Sequence, residues 1–242
     1  MKNIQIKLLI ADIKYIVRFP ALLCALLSPV IIAILLLFAF PLISGLTRSE
    51  DAFLFDRYYT VTAITLISAI PLIYGLLFSF VHQTESVSSE NKNEFAGKAV
   101  NSYFKLRIAF SVFLGFCVIL PLIYLTDAVS TEGWLRNIYA SLLLAVMTSL
   151  IFLFSICFAR NDKGRKMAFF VSALFLMTIP SGLFLHHPWN YFIFFSPFYW
   201  LSWAWIIPSP AESLMYGIIS LVIACSGMLI LYRSFTGNPK TD

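Results

Sequence analysis

The sequence predicts an all-α polytopic membrane protein. It would have six transmembrane helices, an N-terminal interfacial amphipathic helix, and short re-entrant outer helices between spans five and six. Of the 242 residues, 60% are hydrophobic and 12% are charged, whereas about 25% of residues are charged in a soluble domain. The charges lie in short runs separated by uncharged stretches of roughly 20 residues, the length that crosses a bilayer. The basic residues also alternate between loops, as in membrane proteins with a fixed orientation.

The first element is an amphipathic entry helix over residues 1–19. Apolar residues recur at helical spacing, while basic residues share the opposite face. The apolar positions are Ile6, Leu9, Ile10, Ile13, Ile16 and Val17, and the basic positions are Lys7, Lys14 and Arg18. This pattern predicts a helix that lies in the inner membrane interface. A solvated helix packed on a soluble partner is the alternative.

Six uncharged runs predict the membrane spans. They cover 20–44, 59–81, 108–126, 137–158, 167–185 and 212–232. With these bounds, Glu212 at the first position of the sixth span is the one charged residue, and no Asp, Glu, Lys or Arg lies deeper in any span. Ion-coupled transporters and proton relays need ionisable groups inside the membrane, so the pattern indicates that energy for any transport comes from outside this chain.

The basic residues predict the orientation. Four lie in the N-terminal segment, four between spans two and three, four between spans four and five, and two in the C-terminal tail, which places fourteen on one side. Arg48, Arg57 and Arg136 are the three on the other side. Both termini are therefore predicted to be cytoplasmic. The net charge of +5 is interpreted as an orientation signal, and no nucleic-acid partner is expected.

The segment 188–210 is aromatic and rich in proline. It contains Trp189, Trp200, Trp203 and Trp205, and it is interrupted by Pro188, Pro197, Pro208 and Pro210. Tryptophan prefers the headgroup level and proline breaks helices. We expect short helices that enter the outer leaflet and return. A seventh span over 189–207 is the alternative. It would place the basic residues between spans four and five and those of the C-terminal tail on opposite sides of the membrane.

The segment 82–107 is the longest predicted cytoplasmic connection. Glu90, Glu94 and Lys98 follow one another at four-residue spacing, which places them on one face of a helix. A short, charged cytoplasmic helix is expected there. It is either a solvated segment or a docking element for a cytoplasmic partner.

Small and hydroxyl-bearing residues form stripes on two spans. Thr65, Ser68, Gly75 and Ser79, with Leu72, share a face of span two, and span six carries Gly217, Ser220, Ala224 and Gly227. Such residues allow close helix packing and hydrogen bonds between helices. Helix packing and the lining of a substrate path both remain open.

Catalytic motifs are absent from the sequence. It contains no G-x-x-x-x-G-K-[ST], no H-E-x-x-H, no G-x-S-x-G and no Cys/His cluster, and these motifs respectively signal nucleotide, metalloprotease, hydrolase and metal sites. We therefore expect no enzyme activity, no cofactor and no metal site in this chain. A lipid-modifying enzyme would have to draw on polar residues near the headgroups that form no recognisable set. Those residues are Asp127, Glu132, Asp162, His186 and His187.

Four features, taken in order, carry a family resemblance. They are the entry helix ending at Arg18-Phe19-Pro20, the stretch LIYGLLFSFVHQTE, the basic turn ARNDKGRK and the aromatic stretch FFSPFYWLSWAW. Over essentially the whole chain, this combination resembles the permease subunit of a bacterial ABC-2 type exporter. The resemblance implies one transmembrane domain over 1–242 in the bacterial inner membrane, in contact with lipid.

The resemblance also implies a mechanism and partners. In this family the segment corresponding to 85–98 is a coupling helix that fits a groove on a cytoplasmic ABC ATPase, which implies that Glu85, Glu90, Glu94 and Lys98 contact the ATPase. ATP and Mg would be bound by that subunit. A second permease, identical or a sister subunit, would complete a substrate path with alternating access. A non-transporting membrane scaffold or assembly factor is the competing hypothesis.

Overall fold

The computed structural model describes residues 10, 12–39, 42, 52–88, 98–126, 134–158, 162–184, 193–207 and 209–236. Every regular element within these residues is helical. The entry helix is helical over residues 12–18. The helices that follow it are α1 (Pro20–Leu26), α2 (Ser28–Ile34), α3 (Ala52–Ser88), α4 (Lys98–Thr126), α5 (Trp134–Phe158), α6 (Asp162–Phe184), α7 (Pro197–Ile206) and α8 (Pro210–Thr236).

Helix α5 lies at the centre of the described bundle and packs against α3, α4, α6 and α8. Glycines allow two of these neighbours to approach closely. A Cβ at Gly75 of α3 would lie 2.8 Å from Cβ of Ile151 and 2.9 Å from the carbonyl oxygen of Thr148. A Cβ at Gly115 of α4 would lie 3.0 Å from Oγ1 of Thr148. Small residues thus bring helix backbones together where no hydrophobic effect drives helices to associate.

Four helices are long and apolar enough to cross a membrane. These stretches are Tyr59–His82, Phe104–Thr126, Trp134–Phe158 and Pro210–Arg233. Each contains one of the predicted spans, although the second of these helices begins earlier than the uncharged run at 108–126. The predicted membrane character and all-helical class therefore agree with the structure for these four elements.

The first predicted span is broken. Helix α1 and the stretch Ser28–Ala39 meet at an angle of 53°, and Pro29 lies in the first turn of α2. Proline lacks a backbone N–H and interrupts the hydrogen bonding of a continuous helix. The last five residues of this stretch, Leu35–Ala39, form a π-helical turn. Proline within a span is expected to kink it, and a crossing of the membrane by 20–44 as one bent span stays a prediction.

Helix α6 covers most of the fifth predicted span and has 23 residues. The apolar stretch among its described side chains is Lys166–Gly182, which is shorter than the length required of a candidate span. The described residues therefore supply four candidate spans, or five if the bent pair is one span. The count of six stays a prediction.

Helix α7 has ten residues, which is about 15 Å and too short to cross the bilayer. Its two ends lie at different levels along α8. The hydroxyl of Ser220 donates to the carbonyl of Pro197 over 2.8 Å, whereas the hydroxyl of Ser213, near the start of α8, donates to the carbonyl of Ala204 over 2.5 Å. Helix α7 therefore runs from inside the bundle toward the end where α8 begins. Residues 185–192, which would hold the other arm of the expected re-entrant pair, lie outside the described residues, so the re-entrant pair stays a prediction.

Candidate functional site

A buried ion pair joins the entry helix to α4. Nε of Arg107 donates to Oδ2 of Asp12 over 2.9 Å, and Nη2 donates to Oδ1 over 2.5 Å. The side chains of Arg107 and Asp12 are 0% and 4% exposed. Two parallel bonds between guanidinium and carboxylate form the strongest geometry available to such a pair. Within the described part of the chain, this is the one salt bridge.

A third group completes the cluster. Nη1 of Arg107 lies 2.7 Å from Nδ1 of His82 at the end of the α3 span. A guanidinium has only donors, so Nδ1 must accept this bond, and the proton of the neutral ring then lies on Nε2. Asp12, Arg107 and the neutral His82 together carry no net charge. We call these three residues the charge cluster.

Aromatic rings surround the charge cluster. The His82 ring lies 5.5 Å from that of Phe104 and 6.3 Å from that of Phe152, and the Phe104 ring stacks on that of Tyr232 at 6.3 Å. The entry helix, α3, α4, α5 and α8 therefore meet here. In such apolar surroundings, removing one partner of an ion pair leaves a charge with no compensation and destabilises the fold by about 3–5 kcal/mol.

The local sequence explains how the entry helix supplies its carboxylate. Asp12 and Ile16, one turn apart, are both 3% exposed. Ile13 and Val17 are exposed on a second face, and Lys14 and Arg18 are exposed as well. The predicted single apolar face is thus divided: Ile16 packs on the bundle, while its apolar neighbours face outward.

The charge cluster shows what the charge pattern alone did not. Arg107 lies directly before the predicted span 108–126, where it was counted as a cytoplasmic loop charge, yet its side chain is completely buried. Its guanidinium is neutralised by Asp12, which lies 95 residues away in sequence. The available signal was Asp12 itself, since a carboxylate on the face shared with Ile16 needs a partner when that face is buried.

The predicted coupling residues lie close to this cluster along the chain. Glu85 belongs to α3, three residues after His82, and Lys98 begins α4, nine residues before Arg107. Glu90 and Glu94 lie outside the described residues, so their placement on a single helical face stays a prediction. The charge cluster nevertheless joins both ends of the segment 82–107 to the entry helix.

The stripe on α3 divides between two environments. Gly75 packs against α5, as described above, and the hydroxyl of Thr65 donates within α3 to the carbonyl of Val61 over 2.7 Å. Ser68 is fully buried. Helix packing is therefore the interpretation that the structure favours for Gly75.

Ser79 and Leu72 line a cavity of about 390 Å³. Leu22 and Ala25 of α1 form one wall, and Ser155 of α5 contributes a hydroxyl-bearing side chain. The cavity is apolar apart from these serines, and it lies beside the part of α1 that follows the entry helix. It suits an apolar or amphipathic molecule, and we call it the α1 cavity.

The stripe on α8 packs against other helices. A Cβ at Gly217 would overlap the Tyr139 ring of α5, Ser220 bonds to α7, and Ala224 is fully buried. Among the described residues, no group of three or more His, Cys, Asp or Glu side chains is placed to hold a metal ion.

The fold and the site thus define a helical membrane protein with a buried charge cluster at one end. Residues 96–232 match the family described as "Fluoroquinolones export permease protein Rv2686c-like". The match covers more than half of the chain, and the chain belongs to this Rv2686c-like family. The matched region includes Arg107 and the aromatic segment before α8, but not Asp12 or His82. No significant match to the chain is found among curated proteins or solved structures.

Proposed function

We propose that this protein is the permease subunit of an ATP-driven exporter of the ABC-2 type. The observation that carries the proposal is the match of residues 96–232 to an export permease family. The sequence has no nucleotide-binding motif, so ATP and Mg would be bound by a separate cytoplasmic ATPase. The protein would reside in the bacterial inner membrane with both termini in the cytoplasm.

A second permease, identical or a sister subunit, would complete the substrate path. The surfaces of α4 and α8 support this part of the proposal, because only 28% and 17% of their apolar stretches are buried within the described bundle. Exposed Phe113, Val222 and Leu229 belong to these surfaces. Lipid would cover whatever the second permease leaves free. The family description suggests fluoroquinolones as substrates.

The charge cluster would transmit movement of the coupling segment. His82 and Arg107 flank the segment 82–107, and Arg107 holds Asp12 by two hydrogen bonds. An ATPase that displaces this segment would therefore pull on the entry helix. The entry helix leads directly into α1, which forms a wall of the α1 cavity, so the displacement would change the shape of that cavity.

Proton-driven export is a second candidate function, and the buried Asp12 and His82 favour it because membrane proton relays use carboxylates and imidazoles. The hydrogen bonds favour the first candidate. Both oxygens of Asp12 accept from Arg107, and Nδ1 of His82 accepts from the same guanidinium. A guanidinium remains protonated in proteins, so Arg107 donates to both groups but cannot pass a proton between them.

Inverted membrane vesicles distinguish the two functions. Vesicles that contain the permease and the ATPase that co-purifies with it should accumulate norfloxacin when ATP is supplied, and a protonophore should leave the initial rate unchanged. A matched ATPase variant that binds but does not hydrolyse ATP serves as the control. Accumulation driven by an imposed pH gradient without the ATPase would overturn the ATP-driven proposal and support the proton-driven one.

A further inference from the structure

A second cavity, of about 250 Å³, lies between α5, α6, α8 and the residues around the start of α7. Four phenylalanine side chains line it, namely Phe154, Phe175, Phe195 and Phe198. The rings of Phe154 and Phe175 meet edge to face at 6.2 Å. Aromatic rings prefer such edge-to-face or offset contacts with other rings. We call this space the aromatic cavity.

One polar group in the aromatic cavity lacks a partner. Ser172 of α6 is fully buried and lines the cavity, and its hydroxyl makes no hydrogen bond. Several other buried serines in this bundle bond to a backbone carbonyl, as Ser141 does to that of Asn137 over 2.7 Å. Ser28 and Ser68 also have hydroxyls without a partner, but neither lines the aromatic cavity or the α1 cavity. A buried hydroxyl without a bond carries an uncompensated desolvation cost, which a bound polar atom would remove.

The size and access of the aromatic cavity limit its occupant. Pockets for drug-sized ligands measure roughly 300–1,000 Å³, so a space of about 250 Å³ suits one ring or two fused rings. Phe195 and Ile230 line the cavity and are each 68% exposed, so it opens at the side of the bundle. Gly227 keeps one wall open, because a Cβ there would lie 3.2 Å from Cδ1 of Leu150.

We propose that the aromatic cavity binds a compact aromatic molecule that carries one hydrogen-bonding group, with its rings among the phenylalanines and its polar atom on the Ser172 hydroxyl. A lipid acyl chain would fill the space but would leave that hydroxyl without a partner. The site lies within one protomer, apart from the α1 cavity. Binding requires no ATPase; only the description of the ligand as a transported substrate rests on the proposed function.

The test uses the full-length protein in lipid nanodiscs, with 1-naphthol and naphthalene as probes and empty nanodiscs as the baseline. We expect saturable binding of 1-naphthol. Ser172→Ala should weaken that binding roughly threefold to tenfold, the effect of one hydrogen bond, and should leave naphthalene binding unchanged. Gly227→Leu should abolish binding of both probes by filling the space. Ser141→Ala, which removes a buried hydroxyl that bonds within α5 and lines neither cavity, is the matched control and should change neither affinity.

Thermal unfolding separates binding from folding. Ser172→Ala removes a hydroxyl that has no partner, so its Tm should equal or exceed that of the wild type. If Gly227→Leu lowers the Tm, Gly227→Ala provides the smaller obstruction and should weaken both probes in a folded protein. Equal affinity of 1-naphthol for the wild type and Ser172→Ala, or binding no greater than in empty nanodiscs, would overturn the inference. Binding without ATP-driven export would overturn the proposed function alone.

Discussion

At the residue scale, Arg107 makes the most consequential contacts in the described bundle. It is completely buried and donates to both oxygens of Asp12 and to the ring of His82. Replacing a buried ion pair by apolar residues can be neutral, whereas breaking it by removing one partner is costly. This asymmetry allows the structural role of the pair to be separated from a role in transport.

Removal of one partner should destabilise the protein. We expect Arg107→Met to lower the free energy of unfolding by about 3–5 kcal/mol, because Asp12 is left charged and buried. Thermal unfolding in nanodiscs measures this effect. The double variant Asp12→Leu with Arg107→Met should recover most of the lost stability, since neither charge remains.

The same double variant tests coupling. If the charge cluster transmits movement of the segment 82–107, the stable double variant should still associate with the ATPase but should export norfloxacin at less than a tenth of the wild-type rate. Export at the wild-type rate in the stable double variant would contradict the transmission role and leave the cluster with a purely structural one.

At the element scale, the contact between α3 and α5 depends on the absence of a side chain at Gly75. A Cβ there would approach the backbone of α5 at the Thr148 carbonyl as well as Ile151. A backbone atom cannot move aside as a flexible side chain can. We expect Gly75→Ala to destabilise the protein by about 1–3 kcal/mol, the usual cost of overpacking.

Gly227→Ala is the matched control for this substitution. The atom nearest to a Cβ at Gly227 is the end of the Leu150 side chain, at 3.2 Å, and a terminal methyl can move by the required few tenths of an ångström. The Tm of Gly227→Ala should therefore remain close to that of the wild type. Equal losses of Tm for the two variants would show that the α3–α5 contact is not specially tight.

The segment between α3 and α4 holds the predicted docking element. We expect Glu90→Lys with Glu94→Lys to reduce co-purification of the ATPase at least about tenfold, because opposite charges would face the groove that accepts these acids. Glu212→Lys is the control: Glu212 is exposed in the first turn of α8, distant in sequence from the segment, and the substitution should leave co-purification unchanged. An unaltered complex in the double variant would rule out a docking role for these two acids.

At the scale of the whole molecule, the number of spans determines where the termini lie. Six spans place both termini on the same side of the membrane. Of the counts obtained by length, four spans would do the same, whereas five would place the termini on opposite sides. We expect tags at residues 2 and 242 to be cleaved by a protease in inverted vesicles and protected in intact cells. A tag between 128 and 132 should show the opposite pattern. Termini on opposite sides would exclude six spans.

The parts of the fold that were predicted correctly are those set by local pattern. The helices that contain 59–81, 108–126, 137–158 and 212–232 follow from uncharged runs of bilayer length, because in lipid a helix satisfies its own backbone hydrogen bonds. The short α7 follows from Pro197 and the prolines after it. Pro29 indicates a kink in the first span, but proline is compatible with either a kinked or a broken helix, so only the tertiary structure gives the 53° angle between α1 and the stretch that follows it.

The candidate site, by contrast, was not predictable in the same way. Gly75 and Ser79 share a face in sequence, yet one packs against α5 and the other lines the α1 cavity, and only the positions of neighbouring helices separate the two roles. Arg107 was counted as a loop charge, since its partner lies near the N-terminus.

Composition and charge spacing alone determined that this protein is a helical membrane protein, because no soluble surface can be built from 12% charged residues. The tertiary structure decided which charge is buried and with what partner. That difference has a physical reason. Hydrophobic length is a property of each segment in isolation, whereas the compensation of a buried charge depends on a second group brought close in space, as Asp12 is to Arg107.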